Sequence, residues 1–179
     1  MFIAHLPAGY LITRYGLRTI GAPFVKAGTW KYYVMFALLC SVLPDFDLFY
    51  FYLVDNRQHA HHTYWTHIPL FWLLFTALLY FSAKAVFKKN IGLASSILLV
   101  NTLMHLVLDS VAGGIYWLYP LNNEKYRLFE ITARFDWWVF NYIIHWTFLF
   151  ELLIIAAATF VVWEDKKPAL VDTVSQYND

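Results

Sequence analysis

The sequence is poor in charged residues and contains a single cysteine. Of its 179 residues, 14% are Asp, Glu, Lys or Arg, whereas soluble domains carry roughly 25%. The net charge is +1 and no run of Lys and Arg is longer than a pair, which excludes the basic patch that nucleic-acid binding requires. Because Cys40 stands alone, an internal disulfide and a thiolate metal cage are both excluded, and any metal must have nitrogen and oxygen ligands.

Apolar residues dominate the chain: 60% are hydrophobic and 21% aromatic. Four apolar stretches, residues 32–54, 68–87, 91–119 and 137–163, approach the roughly 20 residues that a helix needs to cross a bilayer. Residues 2–24 are a weaker candidate, either a short fifth span or a re-entrant or interfacial helix. We therefore predict an all-α integral membrane bundle of four to five transmembrane helices. Residues 1–163 form its single membrane-embedded domain, and residues 164–179 form a polar cytoplasmic tail.

The distribution of Lys and Arg predicts the orientation of this bundle, because cationic loops are retained on the cytoplasmic side during insertion. Nine cationic residues flank the spans on one side, and four lie on the other. The nine are Arg14, Arg18, Lys26, Lys31, Lys84, Lys88, Lys89, Lys166 and Lys167; the four are Arg57, Lys125, Arg127 and Arg134. We therefore expect the loop between the first and second strong spans to face the periplasm or exterior.

Ionisable residues within the first and third predicted spans cost about 3 kcal/mol each on insertion scales and are therefore functional candidates. In the first span, Pro44 interrupts the helix before Asp45 and Asp47. These carboxylates either point at a cation or end the helix in interfacial water. In the third span, His105 and Asp109 are four residues apart and share one helical face. They are either metal ligands or a hydrogen-bonded pair that joins helices.

Histidines are concentrated just before the second span. A helix is expected to begin at Ile68 and Pro69, with His67 in its first turn, and the positive end of that helix favours the neutral ring that a metal requires. His62 lies five residues earlier, and His59 and His61 are either loop residues or ligands. A helical rise of about 1.5 Å per residue predicts that four residues meet in the outer half of the membrane. They are Asp45, His67, His105 and Asp109.

Two other histidines depend on the path of the chain. His5 reaches the same layer if residues 2–24 run inward from the outer face. His145 lies at a compatible depth in the fourth span but has no histidine or carboxylate partner three or four residues further on. His5 is therefore a conditional candidate ligand, and His145 a weaker one.

Five short motifs occur in an order that resembles the LexA-regulated, inner-membrane metal-dependent hydrolase family, which is YdjM-like. They are "AHLPAGY", "LLCSVLPDFD", "HHTYWTH", "HLVLD" and "GGIYWLYPL", between residues 4 and 121. The resemblance implies metal-binding roles for His5, Asp45, His67, His105 and Asp109, and places Asp47 and His62 beside the site. The family is distantly similar to zinc-dependent phospholipases C, which hydrolyse phosphodiesters.

These features predict a membrane-embedded metal-dependent hydrolase that acts on a lipid phosphoester at the outer face of the inner membrane. Imidazole and carboxylate ligands suit one or two Zn²⁺ ions best, with Mn²⁺ or Fe²⁺ as alternatives. Asp47 or His62 is the expected general base. A metal-ion or proton transporter that uses the same buried residues is the alternative, and a scaffold protein is a third.

Overall fold

A computed structural model describes residues 3–21, 25 and 28–166 of the protein. Within this part the chain is all-helical and forms no strand, only an isolated bridge between Ile115 and Tyr126. The predicted all-α class is therefore confirmed. The helices are α1 (His5–Gly16), α2 (Trp30–Val42), α3 (Asp47–Leu53), α4 (Pro69–Ala85), α5 (Gly92–Asp109), α6 (Trp138–Ile144) and α7 (Phe148–Lys166). Residues 167–179 of the predicted tail lie outside the described residues.

Two elements of the described chain are long and apolar enough to cross a membrane. One is Trp30–Leu53, in which α2 and α3 are joined by a short 3₁₀ turn, and the other is α5. The turn covers Leu43–Phe46 and begins where Pro44 prevents a regular α-helix, as its fixed φ and missing N–H require. α4 is apolar but has only 17 residues.

Three predicted spans differ from the helices that form. The third ends at Asp109, where the Gly113 N–H bonds the Asp109 carbonyl and the chain turns back. The fourth is divided into α6 and α7 at His145, whose backbone is extended. In the first candidate segment, α1 has 12 residues, about 18 Å at the helical rise, before a π-helical turn. The apolar stretches of the sequence therefore contain turn and loop residues as well as helix.

Polar and apolar side chains share the interior, while many large apolar side chains lie on the surface. Leu53, Leu74 and Phe81 are all more than 60% exposed. The buried polar residues include His5, Asp47, His67, Asn101, His105, Asp109 and Glu151. A soluble protein shows the opposite distribution, so this arrangement is typical of a protein that apolar solvent surrounds.

α5 is the central helix and packs against α1, α2 and α4, while α1 also packs against α7. The contact between α1 and its neighbours is unusually close at Gly9. A Cβ atom on Gly9 would lie 2.5 Å from the Ser41 Cβ atom and 2.9 Å from the Asn101 Oδ1 atom. Glycine therefore lets α1 approach α2 and α5, which brings the first residue of α1, His5, beside the end of α5.

Candidate metal centre

α5 supplies two buried side chains of the site from its last turns. His105 and Asp109 lie on the face of α5 that packs against α1 and α2, and both are 1% exposed. The His105 Nε2 atom is 3.0 Å from the Asp109 Oδ2 atom, as the spacing of four residues predicts. On the other side of its ring, the His105 Nδ1 atom is 2.8 Å from the Ser41 carbonyl oxygen. Since a carbonyl only accepts, Nδ1 must carry the proton, and a neutral His105 then turns the lone pair of Nε2 toward the carboxylate.

The 3₁₀ turn at Pro44 directs two carboxylates toward histidines of other elements. The Asp45 Oδ1 atom lies 3.5 Å from His105 Nε2 and 3.7 Å from His67 Nε2. The Asp47 Oδ2 atom accepts a hydrogen bond from Thr66 Oγ1 and lies 2.8 Å from His67 Nδ1. Asp45 therefore faces the Nε2 atoms of both rings, whereas Asp47 contacts the other ring nitrogen of His67, Nδ1.

His67 ends a 3₁₀ turn, Trp65–His67, directly before α4 and is completely buried. Its Nδ1 atom contacts Asp47, so that Nε2 faces Asp45 and Asp109 in the same way as Nε2 of His105. The Trp72 Nε1–H donates to the Thr66 carbonyl and fixes this turn against α4. The prediction that His67 lies in the first turn of the helix is therefore wrong, because α4 begins only at Pro69 and His67 ends the separate turn before it.

His5 reaches the cluster from α1. Its Nε2 atom is 3.1 Å from the Asp109 Oδ1 atom, and its ring centroid is 3.8 Å from that of His105. The condition set by the sequence, that α1 must begin at the level of the site, is thus met.

The loop histidines fall into two groups. His62 and His61 lie over the cluster: the His62 Nε2 atom is 3.6 Å from Asp109 Oδ2, and the His61 Nδ1 atom is 3.6 Å from Asp47 Oδ1. His59 turns away and binds the Asp55 carboxylate at 2.8 Å, with its side chain 66% exposed. The structure therefore separates His61 from His59, which the sequence could not distinguish.

Four donor atoms come together in one group, from Asp45, His67, His105 and Asp109, all within 4.8 Å of one another. Neither His67 Nε2 nor His105 Nε2, although buried, has a hydrogen-bond partner among the described residues. Buried polar atoms are costly unless they are satisfied, and two imidazole nitrogens facing two carboxylates are the donor set that a divalent metal takes. Two overlapping groups add His61, His62 and Asp47 around His67. The residues present therefore fit a metal ion.

The histidines outside the helices differ in protonation. The pKa of His62 is lowered to about 3, chiefly by burial. The charge of Asp109 opposes this shift, and the neighbouring His61 and His67 rings add to it. Burial would also lower the pKa of His67, but the carboxylates of Asp109, Asp45 and Asp47 outweigh it and raise this pKa well above the ordinary value. His62 is therefore neutral at pH 7, and the charge around His67 favours a bound cation.

The turn after α5 fixes His62. A Cβ atom on Gly113 would lie 2.5 Å from the His62 Cε1 atom and 2.6 Å from its Nδ1 atom. Gly113→Ala is thus expected to displace this ring and to cost about 1–3 kcal/mol, because the added methyl group overpacks the site. Thermal unfolding in detergent should show a lower Tm. Gly114→Ala is the matched control, because its Cβ would meet only the Lys125 side chain at 3.0 Å or more, which can move. Equal Tm values for the two variants would contradict the contact.

The structure does not bring His145 into the cluster. Its Nδ1 atom is 2.9 Å from the Thr147 Oγ1 atom, and its ring lies beside Trp146. Ser41, which positions His105, was missed by the sequence reasoning, and Gly113 was predicted only as part of a turn. Ser41 contributes a backbone carbonyl, which no sequence pattern reveals, whereas the Gly113-Gly114 pair was visible as a turn.

Apolar helices, an apolar surface and a buried histidine–carboxylate cluster together define a membrane protein with a candidate metal centre. A family model described as YdjM inner membrane protein matches residues 1–170. The chain therefore belongs to the YdjM inner membrane protein family, as its motifs predicted, and the family description agrees with an inner-membrane location. No curated protein and no solved structure matches the chain, so the similarity to zinc-dependent phospholipases C stays a prediction.

Proposed function

We propose that the protein is a membrane-embedded, metal-dependent hydrolase that cleaves a phosphoester of a lipid or lipid-linked substrate. One observation carries the proposal. In both His67 and His105, the Nδ1 atom contacts an oxygen outside the group of four, while the Nε2 atom faces a common centre with Asp45 and Asp109. Such orientation of imidazoles by outer partners is the arrangement found around protein-bound metals.

The four residues Asp45, His67, His105 and Asp109 would hold the ion, most suitably Zn²⁺, with Mn²⁺ or Fe²⁺ as alternatives. His5 joins through Asp109, and the overlapping groups around His67 offer room for one or two ions. The chemistry that such an ion supplies when bound is a water ligand with a pKa near 7 and charge compensation at a phosphoryl oxygen.

Two further residues serve the reaction. Asp47 contacts His67 and Thr66, so it orients the His67 ring more directly than it accepts a proton from water. His62 lies at the edge of the cluster with 23% of its side chain exposed, and its Nε2 atom is 3.6 Å from the Asp109 Oδ2 atom. We assign His62 as the residue that accepts the proton from the attacking water.

A groove beside the cluster supports a lipid substrate. It has a volume of about 900 Å³ and is lined largely by aromatic side chains of α3, α4 and the turns before them. Asp47 and Thr66 both line the groove, and Thr66 donates a hydrogen bond to Asp47, which also contacts His67 of the cluster. Phe46, Tyr50 and Trp65 on its walls are about half exposed, so a hydrocarbon chain has direct access from the surrounding apolar phase.

The proposed topology has four crossing elements, namely α2 with α3, α4, α5, and α6 with α7, and α1 is a shorter inserted helix. The nine-to-four distribution of Lys and Arg places the histidine loop on the outer side. A phosphoester in the outer leaflet would then lie at the level of the cluster.

Transport is the second candidate, because buried polar residues continue inward from the cluster. One turn below His105, Asn101 is completely buried and its side-chain amide donates to the Thr13 hydroxyl. Neither residue ionises, and the next ionisable group along α1, Arg14, is paired with Asp165. A relay of charge needs titratable groups along its whole length, so this arrangement favours a site that opens to one side.

The two functions are separated by metal analysis of purified protein, a hydrolysis assay and a flux assay in liposomes. We expect about one or two equivalents of metal, together with turnover of phospholipids and less turnover of a water-soluble phosphodiester. Metal-dependent flux without turnover would instead support transport. Protein that binds no divalent metal would contradict both.

A further inference from the structure

Glu151 is a buried carboxylate outside the cluster. It lies in the first turn of α7 and has no exposed surface. No motif of the sequence contains it, and no residue of the cluster is within 40 positions of it in the chain. An ionisable group within an apolar helix is costly and is retained where it makes specific contacts.

The contacts of Glu151 join α7 to the residues just before α1. Its Oε2 atom accepts hydrogen bonds from the backbone N–H groups of Ile3 and Ala4, the latter at 3.0 Å. Its Oε1 atom accepts from the Tyr142 hydroxyl of α6. The first N–H groups at a helix have no acceptor within the helix, and the residue before α1, Ala4, has no capping side chain. Glu151 therefore supplies from another helix the acceptor that the start of α1 lacks.

The residue that follows these two N–H groups is His5. In His67 and His105, a hydrogen bond at Nδ1 fixes the ring, but His5 Nδ1 is buried and has no hydrogen-bond partner among the described residues. The place of the His5 ring beside Asp109 and His105 therefore depends on where its backbone is held.

We propose that Glu151 is a positioning residue that holds the start of α1 so that His5 enters the metal centre. This inference rests on the proposed metal site. It assigns a role in that site to α7, the helix farthest along the chain from the motifs.

The test is a double-mutant cycle on Co²⁺ affinity, measured with purified full-length protein in detergent. Removal of an outer positioning partner typically costs about 10–100-fold in metal affinity, so we expect this loss in Glu151→Ala. His5→Ala should lose at least as much. If Glu151 acts through His5, the double variant should bind Co²⁺ about as weakly as His5→Ala alone. The visible spectrum of the bound Co²⁺ should change in the same way in all three.

Two more variants guard against a general loss of structure. Glu151→Gln keeps a side-chain oxygen that can accept from the backbone and should recover most of the affinity and the wild-type spectrum. It replaces Glu151→Ala in the cycle if the alanine variant does not fold. Glu164→Ala removes an exposed carboxylate from the same helix and should bind Co²⁺ as the wild type does.

The outcomes distinguish this proposal from the proposed function. Wild-type protein that binds no Co²⁺ would overturn the metal site and the role of Glu151 with it. Normal binding by the wild type and by Glu151→Ala would overturn only the positioning role. Independent losses, with a double variant weakened by the product of the two single effects, would also overturn it, because Glu151 would then act without His5.

Discussion

His105→Ala is expected to remove most of the bound metal from the purified protein. His105 offers Nε2 to the cluster at 3.0 Å from Asp109, and its Nδ1 is held by the Ser41 carbonyl. Loss of an outer partner alone costs about 10–100-fold in affinity, so we expect the loss of this direct donor to exceed about 100-fold. Metal content after dialysis, measured by elemental analysis, reports the change.

His59→Ala is the matched control for this variant. His59 is likewise a histidine, but it lies in the loop between α3 and α4, is exposed and pairs with Asp55 rather than with the cluster. The control should keep the wild-type metal content. Full stoichiometry in both variants would show that the metal, if present, is bound elsewhere.

His62→Ala is expected to lower kcat for phosphoester hydrolysis by about 10²–10⁴-fold while most of the metal remains bound. The His62 ring lies at the exposed edge of the cluster, with its Nε2 atom 3.6 Å from the Asp109 Oδ2 atom. A proton acceptor at this place is needed for the reaction but is not needed to hold the ion. Steady-state rates, normalised to the metal content of each preparation, measure the effect.

His61→Ala gives the comparison. The centroid of the His61 ring lies 4.0 Å from that of His62, but His61 faces Asp47. We expect a smaller loss of kcat for this variant than for His62→Ala. A His62→Ala protein that loses its metal would make His62 a ligand instead, and an unchanged rate would remove it from the reaction.

The sequence predicted the chemistry of the cluster better than the shape of the helices. His105 and Asp109 were recognisable because their spacing fixes a shared face, and Asp45 because Pro44 must interrupt the helix before it. The helix ends were less well defined by the sequence: residues 110–119 of the third apolar stretch are turn and loop, and residues 137–147 of the fourth contain the short helix α6 and a break before α7. Hydropathy measures how apolar a segment is and does not register the turns that its hydrogen bonds form.

The contacts that hold the cluster together were beyond reach of the sequence. Ser41 acts through a backbone carbonyl, and Glu151 acts on two backbone N–H groups almost 150 residues away. The carbonyl contact of Ser41 leaves no mark in the sequence, and Glu151 stands out only as a carboxylate within an apolar stretch, which does not reveal its partners. His61 also needed three-dimensional information, because only the folded loop turns it toward Asp47 and His59 toward Asp55.

The close approach at Gly9 has a consequence for how this protein can diverge. A Cβ atom at position 9 would collide with the Cβ atom of Ser41. A larger residue at position 9 therefore requires a smaller residue at position 41 or a shift of α2. Ser41 in turn lends its carbonyl to His105, so a shift of α2 to make room would also turn that imidazole. Substitutions where α1 meets α2 are thereby coupled to the orientation of the His105 ring within the cluster.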